Sequence, residues 1–377
     1  VSSGFLRDSC FLKRLEEPYI YDTVSDELYL LDEEAFHRIL DAHSGRARDA
    51  EVVCLLDDAG LLQEHPRKQP VWTEGQSANP SLRYLEVQIT GRCDKACRHC
   101  YLGQPEDRDM DRETFETILD QFSGVQGLKI MVSGGEPACH PQFMTMTQTL
   151  SSRPLRAILI THGEWIRPEE SVELGKRFQQ IQISLDGLER GHDSLRGEGS
   201  FKRTAAGIRS LREAGVPVSV GTMVHPRNLD EFDEMAKFVR ELGAEEWSID
   251  VPCMAGRWTK EDHDPETVAV MSRKIRYAYG GGFHGGAQGL SCGSHLMTIA
   301  PDGTAAKCGF YFSSPSGNAK EGIAEVWKKI EHIPLEQLDC DCDQVDSCAG
   351  GCRYRAQTEE RSELAVDIVQ CYARGVK

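Results

Sequence analysis

The distribution of cysteine constrains this chain more than any other feature. Of 377 residues, 14 are cysteine, and ten of them form two sets: Cys93, Cys97 and Cys100, then Cys292, Cys308, Cys340, Cys342, Cys348, Cys352 and Cys371. A chain of this length can bury a large core without covalent staples, and residues Val1 to Asp8 lack the apolar stretch of a secretory signal. The expected compartment is therefore cytoplasmic, where crowded cysteines point to metal or redox chemistry and not to disulfides. Hydrophobic residues make up 40% and charged residues 27%, which describes a globular chain. A net charge of −17 argues against nucleic acid or an anionic membrane as partner, and no apolar run is long enough to span a bilayer.

Four segments follow from the pattern along the chain. Residues 1–66 read as a small winged-helix-like domain: a β-hairpin over Tyr19 to Leu31 with a turn at Ser25 to Glu27, then a helix capped by Asp32 or Glu33 and closed near Gly45, then a second helix ending at Gly60. Residues 67–80, punctuated by Pro70, Gly75 and Pro80, read as a linker. Over 81–258 short apolar runs alternate with amphipathic helical segments. Strands are expected at 84–89, 128–132, 157–160, 181–185, 216–224 and 247–251, with helices at 111–122, 168–178, 200–214 and 228–242. Repeated βα units give an α/β fold, a partial (β/α)6 barrel of the TIM type, short of the eight units of a closed one. Residues 259–377 hold one helix, a glycine-rich stretch from Gly280 to Gly289 and a loop-rich tail carrying the second cysteine set.

Cys93, Cys97 and Cys100 form C-x3-C-x2-C directly after the first barrel strand, at the end where βα folds place their chemistry. Three thiolates leave one position open on a four-iron cluster, which wants four ligands. A zinc site or buried thiols would use the same residues. The arrangement resembles the radical S-adenosylmethionine (SAM) superfamily. That resemblance implies a [4Fe-4S] cluster whose open iron binds SAM and, on reduction, yields a 5′-deoxyadenosyl radical that abstracts hydrogen from a substrate. It also implies reduced flavodoxin or ferredoxin as electron donor. Ser133-Gly134-Gly135-Glu136-Pro137 resembles the family's GGE motif, in which Gly134 and Gly135 let the backbone approach the methionine amine and Glu136 orients it. Thr161-His162-Gly163 stands where the family often has Thr-Asn-Gly near the ribose, with His162 as the departure. By the same register Ser184, in Ser-Leu-Asp-Gly, lies near SAM polar groups, Arg196 takes the SAM carboxylate and His99 replaces an aromatic residue near the adenine. Surface and turn roles are the bland alternatives for each residue taken alone.

The second cysteine set resembles the SPASM extension of these enzymes. That likeness implies two auxiliary [4Fe-4S] clusters, three clusters in all. Cys292, Cys308 and Cys352 hold the first, and Cys340, Cys342, Cys348 and Cys371 hold the second, with Asp339 in the usual place of Cys340 and able to replace it. Only three cysteines are assigned to the first cluster. Relatives with a closed site carry another cysteine where this chain has Gly286, and Cys253 is a remote substitute; an open iron there could bind a substrate thiolate. Cys10, Cys54 and Cys139 read as ordinary buried thiols. A zinc ribbon is the alternative for the tail.

SPASM-type enzymes act mostly on peptides, and the N-terminal hairpin with its helices resembles the leader-recognition element of ribosomal peptide (RiPP) maturases of the sactipeptide and ranthipeptide kind. The expected function is oxidative modification of a precursor peptide bound through residues 1–66, with a thioether cross-link favoured. Three alternatives remain: a formylglycine-generating sulfatase maturase, against which Gly309 stands where that subfamily has an acidic residue after the cysteine; a tetrapyrrole or cofactor-biosynthesis enzyme; and an iron–sulfur electron-transfer protein, which would leave the GGE motif unused.

Overall fold

The computed structural model describes residues 4–41, 50–259, 264–281 and 289–377. Near the N-terminus, β1 (Phe5–Leu6) pairs with β5 (Leu62–Gln63), and β2 (Cys10–Arg14), β3 (Pro18–Asp22) and β4 (Glu27–Leu30) form an antiparallel sheet in the order β2-β3-β4. The expected hairpin is β3 and β4; β2 extends it. Helix α1 (Glu33–Asp41) begins where the Ala35 N–H donates to Asp32 Oδ1 at 2.7 Å, and α2 (Ala50–Asp58) follows; Gly45 lies outside the described residues. Leu12, Ile20, Phe36, Ile39, Val53 and Leu56 close a small core between the sheet and the helices. The segment expected to be a linker contributes Val71 to this core, and the Leu12 N–H donates to Val71 O at 2.8 Å along the outer edge of β2.

The central sheet contains β6 (Tyr84–Thr90), β7 (Lys129–Gly134), β8 (Arg156–Thr161), β9 (Gln180–Ser184), β10 (Val218–Met223) and β11 (Glu246–Asp250), all parallel and each beside its sequence neighbour. The connections carry α3 (Arg112–Gly124), α4 (Phe143–Met146), α5 (Pro168–Gly175), α6 (Glu189–Arg196), α7 (Ser200–Glu213) and α8 (Phe232–Glu241). Helix α3 shows why these segments form. Asp111 caps it by accepting the Thr114 N–H at 2.8 Å, and Phe115, Ile118, Leu119 and Phe122 recur on one face and are buried against the sheet.

The sheet does not stop at six strands. β12 (Leu296–Ile299) pairs in parallel with β6, while β13 (Thr304–Ala306) and β14 (Gly317–Asn318) continue antiparallel, giving nine strands ordered β11-β10-β9-β8-β7-β6-β12-β13-β14. The tail is thus less loop-like than its sequence reads, because the strand next to β6 comes from more than 200 residues downstream. Helices α9 (Pro265–Ser272), α10 (Ile323–Trp327), α11 (Val345–Cys348), α12 (Arg353–Glu360) and α13 (Ile368–Ala373) complete the tail.

The N-terminal unit docks at the starts of β7 and β8. Lys129 Nζ donates to Asp26 at 2.6 Å, Arg156 donates to the carbonyls of Thr23 and Val24 at 2.8 and 2.7 Å, and Lys13 Nζ donates to those of Gly127 and Pro154 at 2.7 and 2.9 Å. The cysteine loop after β6 is at the opposite ends of the strands.

Candidate active site

The loop leaving β6 carries Cys93, Cys97 and Cys100. Its path is fixed by backbone contacts with the turn after β7: the Gly135 N–H donates to Thr90 O at 2.9 Å and the Glu136 N–H to Arg92 O at 2.8 Å. A Cβ on Gly134 would lie 2.3 Å from Thr90 O, and one on Gly135 2.2 Å from Arg92 O, so no larger residue fits either position without moving the cysteine loop.

Glu136 is buried and acts as a hub. Its carboxylate accepts the Thr161 hydroxyl at 2.6 Å, the Trp165 indole N–H at 3.1 Å and the His162 backbone N–H at 3.0 Å. The His162 ring bonds Asp94, beside Cys93, at 3.0 Å and lies 3.3 Å from Glu136. Burial opposes a charged imidazole, but these two carboxylates outweigh it and raise the His162 pKa. The departure from Thr-Asn-Gly therefore has a place in the fold: His162 ties the β8 end to the cysteine loop.

A second group forms around Arg196, at the end of α6. Its Nε donates to Asp186, its Nη1 lies 4.0 Å from Cys97 Sγ and its Nη2 lies 3.3 Å from His99 Nε2. Asp186 is 1% exposed. Burial alone would raise its pKa, but Arg196, the neighbouring histidines and the Met223 N–H hold it well below the usual carboxylate range. Burial pushes the His99 imidazole down to about 4, so near neutrality it is uncharged. Its Nδ1 is buried without a hydrogen-bond partner. Ser184 ends β9 on a half-buried face.

In the tail, Cys308 lies within electrostatic reach of Cys292 and Cys352, and Cys371 within reach of Cys340 and Cys348. The Cys342 thiol accepts the Gln344 N–H at 3.4 Å, and Asp339 is exposed. Asp367, fully buried, organises both groups. It accepts the Cys352 N–H at 2.7 Å, receives Arg355 through two bonds at 2.9 and 3.0 Å, and caps α13, which carries Cys371. Arg355 also donates to Val251 O at 2.9 Å, joining the tail to the end of β11. Periodicity gave no sign of this buried pair. Of the other cysteines Cys10 is buried, whereas Cys54 is exposed and Cys139 partly so, contrary to the expectation of buried thiols. Gly286 lies outside the described residues.

Between the two cysteine regions lies a cleft of about 450 Å³, bordered by Tyr101 and Leu102 on one side and by Gly309, Phe310 and Tyr354 on the other. Tyr101 and Phe310 have ring centroids 4.8 Å apart, and Phe310 stacks on Tyr354 at 4.9 Å. A Cβ on Gly309 would meet the Tyr101 hydroxyl at 2.9 Å.

The donor set suits the groups that the sequence implied. The cleft-end thiols are soft ligands, the two glycines form a cradle that a Cβ would fill, and His99 Nδ1 remains for a polar ligand. Among the described residues no three Cys, His, Asp or Glu side chains converge closely enough for a single metal ion; the ligands of a four-iron cube stand farther apart than those of one ion.

Comparison with known proteins places this geometry. Residues 87–239 match the radical SAM superfamily. An AdoMet-dependent heme synthase from Oleidesulfovibrio alaskensis is 24% identical over 346 residues, covering 79% of this chain and 89% of the relative. The antilisterial bacteriocin subtilosin biosynthesis protein AlbA of Bacillus subtilis is 32% identical over 234 residues, 60% of this chain and 52% of AlbA. The crystal structure of Streptococcus suis SuiB bound to its precursor peptide SuiA shares the fold over 97% of this chain and 99% of SuiB, with a TM-score of 0.71 at 15% identity. The mostly parallel sheet, the cysteine loop at its C-terminal edge and the glycine cradle beneath that loop thus belong together: residues 87–239 form a radical SAM domain, and the chain is an enzyme.

Proposed function

We propose that this enzyme modifies a precursor peptide, forming an oxidative cross-link, with a thioether the favoured product. The observation that carries this reading is the N-terminal unit. Within its three-stranded sheet β4 pairs only with β3, so among the described residues its outer edge is open, with Leu30 exposed and α1 beside it. Such an edge suits an added peptide strand. The whole-chain likeness to SuiB supports it, whereas the heme synthase alignment leaves about a fifth of this chain unmatched.

In this reading Cys93, Cys97 and Cys100 hold the SAM-binding cluster, and the seven tail cysteines hold auxiliary clusters as the sequence suggested. Bound there, these groups supply a 5′-deoxyadenosyl radical and an electron acceptor. The chain's own residues do the positioning. Glu136, fixed by Thr161, Trp165 and His162, presents a carboxylate to the SAM amine. Arg196, clamped by Asp186 beside Cys97, would take the SAM carboxylate. Gly134 and Gly135 set the approach, His99 meets the adenine, Thr161 lies toward the ribose, and Ser184 lies near SAM polar groups. Flavodoxin or ferredoxin would deliver the electron. The cleft walled by Tyr101, Phe310 and Tyr354 is where the reacting segment would enter. For a cross-link between a C–H and a thiol, the peptide gives up one hydrogen atom, one proton and one electron.

Two features weigh against the alternatives. Gly309 is packed beneath Tyr101, so the acidic base of a sulfatase maturase is missing there and a side chain at this position would have to displace Tyr101. Among the described residues the one cation lining the cleft, Arg108, is paired with Asp302 at 2.7 Å, a poor match for a tetrapyrrole bearing several carboxylates. The test is anaerobic incubation with SAM, dithionite and either leader-fused peptides containing internal cysteines or an iron tetrapyrrole bearing propionates. Deoxyadenosine formation coupled to a peptide lighter by two hydrogens is expected. Decarboxylation of the tetrapyrrole, with no change in any peptide, overturns the reading.

A further inference from the structure

Cys253 belongs to none of the spaced motifs, yet it occupies a defined position. It follows β11, is 7% exposed, and its thiol lies within electrostatic reach of that of Cys352. Cys352 is in turn within electrostatic reach of Cys292 and Cys308, so the four thiols share the tail face of the cleft at spacings wider than one metal ion would need.

The backbone around Cys253 is held from both sides. The Arg355 guanidinium, close to Cys352 in sequence, bonds Val251 O at 2.9 Å and Asp250 at 3.1 Å, which fixes the end of β11 against α12. A tight turn follows, with the Ala255 N–H donating to Cys253 O at 2.8 Å. Arg257 then donates through its backbone to Cys100 O at 3.1 Å and through its side chain to Cys97 O at 2.9 Å. A Cβ on Gly256 would stand 2.2 Å from Cys100 O. Segment 253–257 is therefore wedged between the two cysteine regions, and Cys253 is its contribution to the tail side. A buried thiol set against three others by a buried guanidinium clamp has the chemistry of a soft-metal ligand.

We propose that Cys253 is the fourth thiolate of the auxiliary cluster held by Cys292, Cys308 and Cys352, so that this cluster has no open iron. The inference rests on reading those three residues as cluster ligands. It changes what the site can bind: a substrate thiol would not sit on this cluster, and the sulfur of a thioether would meet the carbon radical from the aromatic cleft.

The experiment uses the full chain with Cys93→Ala, Cys97→Ala and Cys100→Ala, which removes the SAM-binding cluster. After anaerobic reconstitution, iron and sulfide are counted, and electron paramagnetic resonance spectra of the reduced protein are recorded with and without cyanide, a ligand for an open iron. The parent is expected to hold about eight irons, as two clusters each held by a full set of thiolates require, with spectra that cyanide leaves unchanged. Adding Cys253→Ala should make one of the two clusters cyanide-responsive, and mild oxidation should convert it to a three-iron form. Cys253→Ser keeps the side-chain volume and controls for folding, and Cys10→Ala should behave as the parent. A parent that already responds to cyanide, or a Cys253→Ala protein indistinguishable from it, overturns the assignment while leaving two clusters in place. A parent without tail iron removes the auxiliary-cluster reading, and this inference with it.

Discussion

Replacing Asp367 by alanine should dismantle the tail while sparing the barrel. Asp367 and Arg355 are both buried, at 1% exposure each, and joined by two hydrogen bonds. Removing one partner of such a pair typically costs about 3–5 kcal/mol, because the remaining charge stays buried. Asp250 keeps one bond to Arg355 but is half-exposed and compensates only in part. The same substitution strands the Cys352 N–H and uncaps α13, a loss of about 1 kcal/mol that overlaps the first. Taking roughly 3–5 kcal/mol for the whole, local opening of the tail becomes about two to nearly four decades more populated. Hydrogen exchange read by mass spectrometry should show α12 and α13 exchanging faster by that factor, with β7 and β8 unchanged. On the proposed three-cluster reading, iron content should fall from about twelve toward about four, since Cys352, Cys371 and the end of β11 are all tied to this one carboxylate. Unchanged protection of α13, or retention of all the iron, would refute the view that Asp367 organises both tail cysteine groups.

Three further outcomes follow from the geometry. Glu136→Gln removes the charge, keeps one acceptor oxygen and sets an NH2 group in place of the other against a buried donor, and at about 1–3 kcal/mol it should weaken SAM binding by roughly 10- to 100-fold in anaerobic equilibrium dialysis; an unchanged Kd would sink its assigned role. Gly309→Asp forces Tyr101 away from the cleft wall, so deoxyadenosine should still form but uncoupled from product, as the ratio of the two will show. Burial pushes Lys13 down to about 7, below its unfolded value of about 10.4, so the unfolded chain binds more protons between these values. Stability should therefore rise as pH is raised from about 7 to about 10 and level off above, by at most about 1.4 kcal/mol per pH unit. Lys13→Met should flatten that slope in urea titrations, and an identical slope in both proteins would show that Lys13 is not its source.

The barrel was legible because its strands are near-continuous apolar runs and its helices show one apolar face, both local signals. The three-cysteine loop and the glycine pair were legible for a related reason: their chemistry demands fixed spacing at strand ends. Other features depend on partners far away in sequence. Four residues, Leu296–Ile299, carry no pattern that distinguishes a strand from a loop, and only pairing with β6 makes β12 one. Arg355 and Asp367 look like surface charges until each is seen to neutralise the other. Cys253 had one usable signal, its place at the end of the last barrel strand, the same position relative to β11 that the Cys93 loop holds relative to β6. Lys13, Lys129 and Arg156 carry the docking of the N-terminal unit, and nothing in their local sequence says that their partners are carbonyls and a carboxylate across a domain boundary.

That docking sets a ruler. The open edge of β4 begins beside the starts of β7 and β8, whereas the cysteine loop leaves the far end of β6, a strand of seven residues. At about 3.3 Å per residue the barrel wall is roughly 23 Å tall. An extended peptide held at β4 needs on the order of seven residues merely to climb that wall before any side chain can enter the cleft. If the proposed precursor peptide is gripped there, residues near the gripped segment are out of range of the radical chemistry, and the first modifiable position is selected by distance along the chain before any side-chain preference acts.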